Sequence, residues 1–78
     1  MVDRVRGDRI RELRERRLGL TQFELASRLE SRRGKSPDPV NISRWEREVT
    51  EPSLNYLRQM AELGGVPLTW FFEEAAVA

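Results

Sequence analysis

The stretch that decides the fold contains three successive helix starts. It begins with Leu20-Thr21-Gln22-Phe23-Glu24-Leu25-Ala26, continues after a polar segment with Asn41-Ile42-Ser43-Arg44-Trp45-Glu46-Arg47, and ends with Glu51-Pro52-Ser53-Leu54. Thr21 and Glu24 have the spacing of a capping box, which marks the start of a helix. The sequence therefore predicts short helices in close succession.

The helix that begins at Thr21 is the second of the chain, because a first helix is predicted before it. Helices 3 and 4, which follow it, have equally clear starts. Asp38-Pro39 combines an N-cap residue with a proline at the first helical position, so helix 3 is predicted from there to about Arg47. Ser53 is predicted to cap helix 4, and Gly64-Gly65 to end it.

The two ends of the chain complete an all-α pattern of five helices. Asp8 is predicted to cap a first helix of about residues 9–17, and the last helix is predicted over about residues 68–75. We expect residues 1–7 to form a flexible arm and residues 8–78 to form one domain.

Composition narrows the function classes. A chain of 78 residues buries only about 60% of the surface that its unfolded state exposes, so the core is small. It contains no cysteine and no histidine, so we expect no metal, no cofactor and no catalytic residues, and the protein is not expected to be an enzyme. No apolar run approaches a membrane span of about 18 residues, which favours a cytoplasmic protein without membrane contact.

The net charge of +1 hides a strong asymmetry along the chain. Residues 1–36 hold eleven Arg or Lys against six acids, whereas residues 37–78 hold three Arg against seven acids. A one-sided basic field is what a phosphate-binding domain needs. For the first helix, intrahelical ion pairs explain part of it equally well.

The apolar positions predict which side of each helix faces inward. Helical spacing assigns eight residues to the core: Ile10, Leu13, Leu25, Leu29, Ile42, Trp45, Leu57 and Phe71. Val49 is a further candidate for burial. If Ile42 and Trp45 point inward, a step of about 100° per residue turns the following residues outward: Val40, Asn41, Ser43, Arg44 and Arg47.

Four pieces of sequence carry a family resemblance when taken in order. They are Ile10-Arg11-Glu12-Leu13-Arg14, then Gly19-Leu20-Thr21-Gln22 with Leu25-Ala26, then residues 42–47, then Pro52-Ser53-Leu54 with Leu57 and Ala61. This order resembles the helix-turn-helix family of the phage lambda repressor and Cro type, also called the xenobiotic-response-element family. The resemblance covers roughly residues 8–72 and implies a five-helix lambda-repressor-like DNA-binding domain, with the helix-turn-helix at about residues 21–47.

The resemblance also implies roles for single residues. Gln22 matches a glutamine that hydrogen-bonds a DNA phosphate. Ile42 and Trp45 match core positions, and Glu46 matches an acid that pairs with an arginine of helix 1, here Arg14.

The outward residues of helix 3 have the chemistry to read bases. Arg44 can pair with guanine, Asn41 with adenine, and Val40 can touch a thymine methyl group. The alternatives are a solvated Arg44, an Asn41 that supports the helix cap, and a half-buried Val40. The predicted base contacts are Val40, Asn41, Ser43 and Arg44. The predicted phosphate contacts are Gln22, Arg32, Arg33, Lys35 and Arg47.

The chain departs from the family pattern in three places. The family joins helices 2 and 3 by about three or four residues, whereas this turn is longer, and the excess is expected to bulge out or to extend helix 2. Its Arg32, Arg33 and Lys35 either reach phosphates or stay solvated. Helix 1 carries an extra residue before Gly19, and Gly64 stands where the family has a leucine.

The aromatic residues near the C-terminus suggest a self-association surface. We expect a homodimer through the last helix, with Trp70 and Phe72 at the interface; the alternative is a monomer with Trp70 on its own core. The predicted function is a sequence-specific transcriptional regulator, a repressor that reads the major groove of a double-stranded DNA operator with helix 3. The alternative is an antitoxin or another protein-interaction module with a protein partner.

Overall fold

Four helices and a final 3₁₀ turn build the domain in the computed structural model, which describes residues 4–72. The helices are α1 (Gly7–Glu12), α2 (Gln22–Ser27), α3 (Pro39–Glu46) and α4 (Leu54–Gly64), and the turn is Leu68–Phe72. There is no strand within the described residues, which confirms the all-α prediction. Within the same residues, no helix has the length and apolar character needed to cross a bilayer.

The start of α1 differs from the prediction. Its first residue is Gly7, and Asp8 lies inside the helix, where it pairs with Arg6 (Nε to Oδ1, 3.1 Å). Asp8 as the N-cap is therefore wrong. The cap comes from a distant residue instead, because Glu48 Oε2 accepts the N–H of Gly7 at 3.2 Å.

The residues just before α1 are fastened to the body of the domain. Val5 is buried and donates its N–H to Glu51 at 3.2 Å, and the N–H of Arg6 bonds to the carbonyl of Phe71 at 2.9 Å. This differs from the flexible arm expected over residues 1–7, of which residues 1–3 lie outside the described residues. The acceptor residues lie far along the chain from these donors, so local sequence patterns do not predict these bonds.

A π-helical segment, Leu13–Leu18, continues α1 without interruption. A π-helical turn holds more residues than an α-helical turn, so the segment takes up the extra residue that the resemblance places before Gly19. Gly19 then ends the helix with φ +64°, as predicted. The extra residue therefore leaves both Leu13 and Arg14 facing inward, where they are buried.

The predicted capping signals at three helix starts are confirmed. Thr21 Oγ1 accepts the N–H of Glu24 at 3.1 Å, and Glu24 Oε1 accepts the N–H of Thr21 at 2.9 Å. At α3, Asp38 Oδ1 accepts the N–H of Val40 at 2.9 Å, and Pro39 is the first helical residue. Ser53 Oγ caps α4 by accepting from the N–H of Tyr56 at 3.3 Å.

The C-terminus of α3 closes in a Schellman motif. Val49 donates its N–H to Arg44 O at 2.9 Å, and Glu48 donates to Trp45 O at 3.2 Å. Glu48 takes the left-handed position with φ +60°, where glycine is usual. This turn leads the chain away from the core, so Val49 is exposed and the prediction of its burial is wrong.

Each helix and the final turn contribute buried side chains to one core. All eight residues assigned to it from the sequence are buried, and so are five further apolar side chains: Val5, Ala26, Met60, Ala61 and Trp70. The packing is close at Gly64, where an added Cβ would lie 2.0 Å from Leu13 Cδ1. The side chain of Leu13 occupies the space that a side chain at position 64 would need, so the leucine that the resemblance places there would displace it.

The last element of the domain differs from the helix that the sequence predicts. Leu68–Phe72 forms a 3₁₀ turn, and residues 73–75 of the predicted helix lie outside the described residues. Trp70 is only 8% exposed. Its ring packs edge-on against Phe71, with centroids 5.4 Å apart, and the guanidinium of Arg9 lies 4.8 Å above its centre. Trp70 thus lies on its own core, and the expectation of an exposed Trp70 is wrong.

Candidate nucleic-acid interface

The two sides of α3 differ in the way the sequence predicts. Ile42 and Trp45 are buried in the core, while Arg44 and Val40 are exposed, Val40 by 46%. Trp45 also packs against the ring of Tyr56, with centroids 5.4 Å apart. Trp45 is therefore an anchor that fixes how α3 is rotated on the domain, and this rotation turns Arg44 toward solvent.

The first turn of α3 leaves the side chain of Asn41 available. Asp38 makes the cap, because its carboxylate accepts the N–H of Val40 and its carbonyl accepts the N–H of Asn41 at 2.9 Å. Within residues 4–72 the amide side chain of Asn41 forms no hydrogen bond of its own. The alternative that Asn41 supports the cap with its side chain does not apply.

The second half of α3 places two polar side chains together on the surface. Arg47 Nε donates to Ser43 Oγ at 3.3 Å, one helical turn apart, and Ser43 is half-buried while Arg47 is exposed. A neutral hydroxyl leaves the positive charge of Arg47 uncompensated. Arg44 and Arg47 are thus two cations on one short helix.

A buried ion pair joins α3 to the π-helical segment. Arg14 Nε donates to Glu46 Oε2 at 2.6 Å and Arg14 Nη2 to Glu46 Oε1 at 3.1 Å, which confirms the predicted pairing. The hydrogen bond to Glu46 is the main cause that raises the pKa of Arg14, against the opposing effect of burial. A third bond, from Arg14 Nη1 to Leu20 O at 3.0 Å, leads to the start of α2.

Gln22 belongs to the same polar cluster. Its Nε2 donates to Glu46 Oε1 at 3.2 Å, so the amide is held between α2 and α3. A side-chain amide carries two N–H groups, and one of them is used here. The carboxylate of Glu46 thus orients Gln22 at the first position of α2, beside α3.

The cations of the α2–α3 connection, residues 28–38, are arranged differently from those of α1. Arg32, Arg33 and Lys35 are exposed, and in the part of the chain that the structure describes none of them has an ion pair. Near α1 some arginines are matched with acids, Arg11 with Glu15 (3.1 Å) and Arg6 with Asp8. Arg9, Arg16 and Arg17 have no ion pair within the described residues. Uncompensated positive charge is therefore present on the connection and on α3, as it is on the π-helical segment.

Three polar side chains that hold these elements were missed from the sequence: Glu48, Asn55 and Gln59. Glu48 caps α1, whereas Asn55 and Gln59 hold the connection against α4. Their partners lie 25 to 41 residues away along the chain. No local spacing rule reaches that far, so the sequence pattern does not identify these three residues.

Comparison with protein families adds an independent finding. Residues 38–71 match the model of the helix-turn-helix family, which spans α3, α4 and the final turn. This match supports the resemblance to the helix-turn-helix domains of the lambda repressor and Cro type, over the part of the chain that it covers. The match begins only at the cap of α3 and leaves out α2, which packs on α3 in the structure.

The family match indicates a DNA-binding transcriptional regulator. Comparisons with curated proteins and with solved structures gave no significant match. The details of the candidate interface are therefore taken from the geometry of the domain itself.

Proposed function

We propose that this helix-turn-helix domain binds a specific double-stranded DNA site as a repressor and reads the major groove with α3. The observation that carries this proposal is the orientation of α3, with Ile42 and Trp45 in the core and Arg44 facing solvent. In a helix-turn-helix the second helix enters the major groove with its N-terminal residues near the base edges. The proposed base contacts are Val40, Asn41, Ser43 and Arg44.

The phosphate contacts come from the uncompensated cations and from the start of α2. Arg47, Gln22 and the three cations of the α2–α3 connection, Arg32, Arg33 and Lys35, are proposed for this role. Such contacts position the protein without reading sequence, and they make the affinity depend on salt. A cytoplasmic location, where the chromosome of a prokaryote is reached directly, belongs to the same proposal.

A homodimer on a palindromic site remains part of the proposal, because helix-turn-helix domains of this kind bind two half-sites about one helical turn apart. Trp70 does not take part in that interface, since it is buried. Phe72, the other residue of the predicted contact surface, is half-buried, and its exposed part is proposed for the dimer contact.

The alternative of an antitoxin or other protein-interaction module keeps part of its support. That support is the acidic second half of the chain. In the structure, Glu46 is paired with Arg14, while Glu48 and Glu51 accept the N–H groups of Gly7 and Val5. These acids hold the fold together and do not form a free acidic face.

Two substitutions on α3 test the proposal. A preferred DNA site is first selected from random duplexes, and binding is then measured to that site and to sites with one changed base pair. Arg44→Ala is expected to weaken binding to the preferred site by about 1–3 kcal/mol and to relax the preference at one position. Arg47→Ala, the matched control on the same helix, is expected to weaken binding to all sites by a similar factor. If Arg44→Ala weakens every site equally, Arg44 does not read a base.

A further inference from the structure

The α2–α3 connection is held against α4 by two amide side chains, Gln59 and Asn55, neither of which is among the predicted site residues. We call this pair the clamp. Gln59, on α4, binds both backbone groups of Glu30: its Oε1 accepts the N–H at 2.8 Å and its Nε2 donates to the carbonyl at 2.6 Å. Asn55 Nδ2, one turn earlier on α4, donates to the same carbonyl at 3.2 Å. One loop residue is thus bound by two amide side chains of a neighbouring helix.

Beyond this clamp the connection is folded on itself around Ser31. The N–H of Ser31 donates to Lys35 O at 2.7 Å, and the N–H of Gly34 donates to Ser31 O at 2.9 Å. Ser31 Oγ accepts from the backbone N–H groups of Arg33 (3.3 Å) and Lys35 (3.2 Å). Gly34 permits the tight turn, because its φ of +76° is a conformation that glycine adopts without strain.

All of these bonds use backbone groups or neutral side chains. The charged ends of Arg32, Arg33 and Lys35 take part in none of them, and within residues 4–72 they have no acid partner. An ordered backbone that presents uncompensated cations does not need to be ordered again when it binds an anion, so the entropic cost of binding is smaller.

The connection also leads directly into the helix that is proposed to enter the major groove. Lys35 precedes Pro39 by four residues, and four residues span at most about 14 Å. The cations therefore lie near the start of the helix that is proposed to contact DNA.

We infer that residues 31–35 form a preformed phosphate-binding loop and that Gln59 is the positioning residue that holds it against α4. This inference rests on the proposed DNA binding and adds two claims to it. The loop contributes its contacts equally to all sequences, and Gln59 acts on DNA only through the loop.

The experiment is a DNA titration at several salt concentrations with four proteins. They are the wild type, the triple variant Arg32→Ala/Arg33→Ala/Lys35→Ala, Gln59→Met, and the combination of the two. Gln59→Met keeps the length of the side chain and removes both hydrogen-bonding atoms. Arg16→Ala, at an exposed arginine of the π-helical segment, controls for the loss of positive charge alone.

The salt dependence tests the loop. Each lost phosphate contact reduces the slope of log K against log salt by about 0.9, so the triple variant is expected to lose about 2 to 3 from the slope with its base preference unchanged. Arg16→Ala is expected to leave the slope as it is. An unchanged slope in the triple variant, or an equal loss per charge in Arg16→Ala, overturns the inference.

The combination tests Gln59. In the wild-type background Gln59→Met is expected to weaken binding severalfold, and in the triple background it is expected to have no effect. An equal loss in both backgrounds means that Gln59 only stabilises the fold. Should Gln59→Met not fold, as judged by circular dichroism, the triple variant still decides the claim about the loop. Absence of DNA binding by the wild type contradicts the proposed function itself, which is a separate outcome.

Discussion

Gly7 shows at the scale of one residue how closely α1 approaches α3. A Cβ at this position would lie 2.2 Å from the carbonyl oxygen of Glu46 and 2.7 Å from that of Trp45. Both atoms belong to the backbone of α3, so a side-chain adjustment cannot make room. Gly19, by contrast, has φ +64° and nothing within 4 Å of an added Cβ.

These two glycines give a matched pair of substitutions. Gly7→Ala is expected to reduce the free energy of unfolding by about 3 kcal/mol, at the upper end for overpacking, because two helices must separate. Gly19→Ala is expected to lose only about 1 kcal/mol, the cost of a left-handed conformation for alanine. Urea denaturation followed by circular dichroism measures both values. Equal losses would show that α1 and α3 do not approach this closely.

The start of α2 carries a pH dependence that belongs to the helix as an element. The hydrogen bonds of the capping box, that from the Thr21 backbone first, hold the pKa of Glu24 below its ordinary value. A lowered pKa in the folded state means that the ionised carboxylate stabilises the fold at neutral pH and that this contribution is lost as the pH falls through the lowered pKa. Glu24→Gln keeps the hydrogen-bonding geometry without the charge.

We therefore expect the wild type to be more stable than Glu24→Gln at pH 7. The difference should begin to shrink near pH 4, the ordinary range of a glutamate, and should be lost as the pH falls through the lowered pKa of Glu24. Thermal unfolding of both proteins from pH 7 to pH 3 measures this. A difference that stays constant over the whole range would mean that the charge of Glu24 contributes nothing to α2.

The helix starts were predictable from the sequence because their signals are local. Thr21, Asp38 and Ser53 each cap a helix through a bond to a residue two or three positions on. The features that sequence reasoning missed depend on partners far along the chain, such as Gln59 with Glu30 and Glu48 with Gly7. The direction of α3 was predictable for another reason, since two apolar residues three positions apart define a buried side.

At the scale of the whole molecule, the final turn closes the domain over α1. Helical periodicity alone left Trp70 facing outward, but a 3₁₀ turn has about three residues per turn and so rotates its side chains differently. Arg9 and Arg17 then cover the indole, with guanidinium carbons 4.8 Å and 5.7 Å from the centre of the ring. Trp70, one of the two residues that suggested a dimer interface, is instead part of the core.

Trp70→Ala distinguishes the two roles of this residue. Removal of a buried tryptophan is expected to reduce the free energy of unfolding by about 3–5 kcal/mol, and Trp70→Phe, which keeps a ring, should lose less. Unfolding is measured over a range of protein concentrations, because a contribution from dimerisation depends on concentration and a core contribution does not. Light scattering of the folded variants gives the oligomeric state. If Trp70→Ala kept the stability of the wild type and only converted a dimer to monomers, the tryptophan would belong to an interface and not to the core.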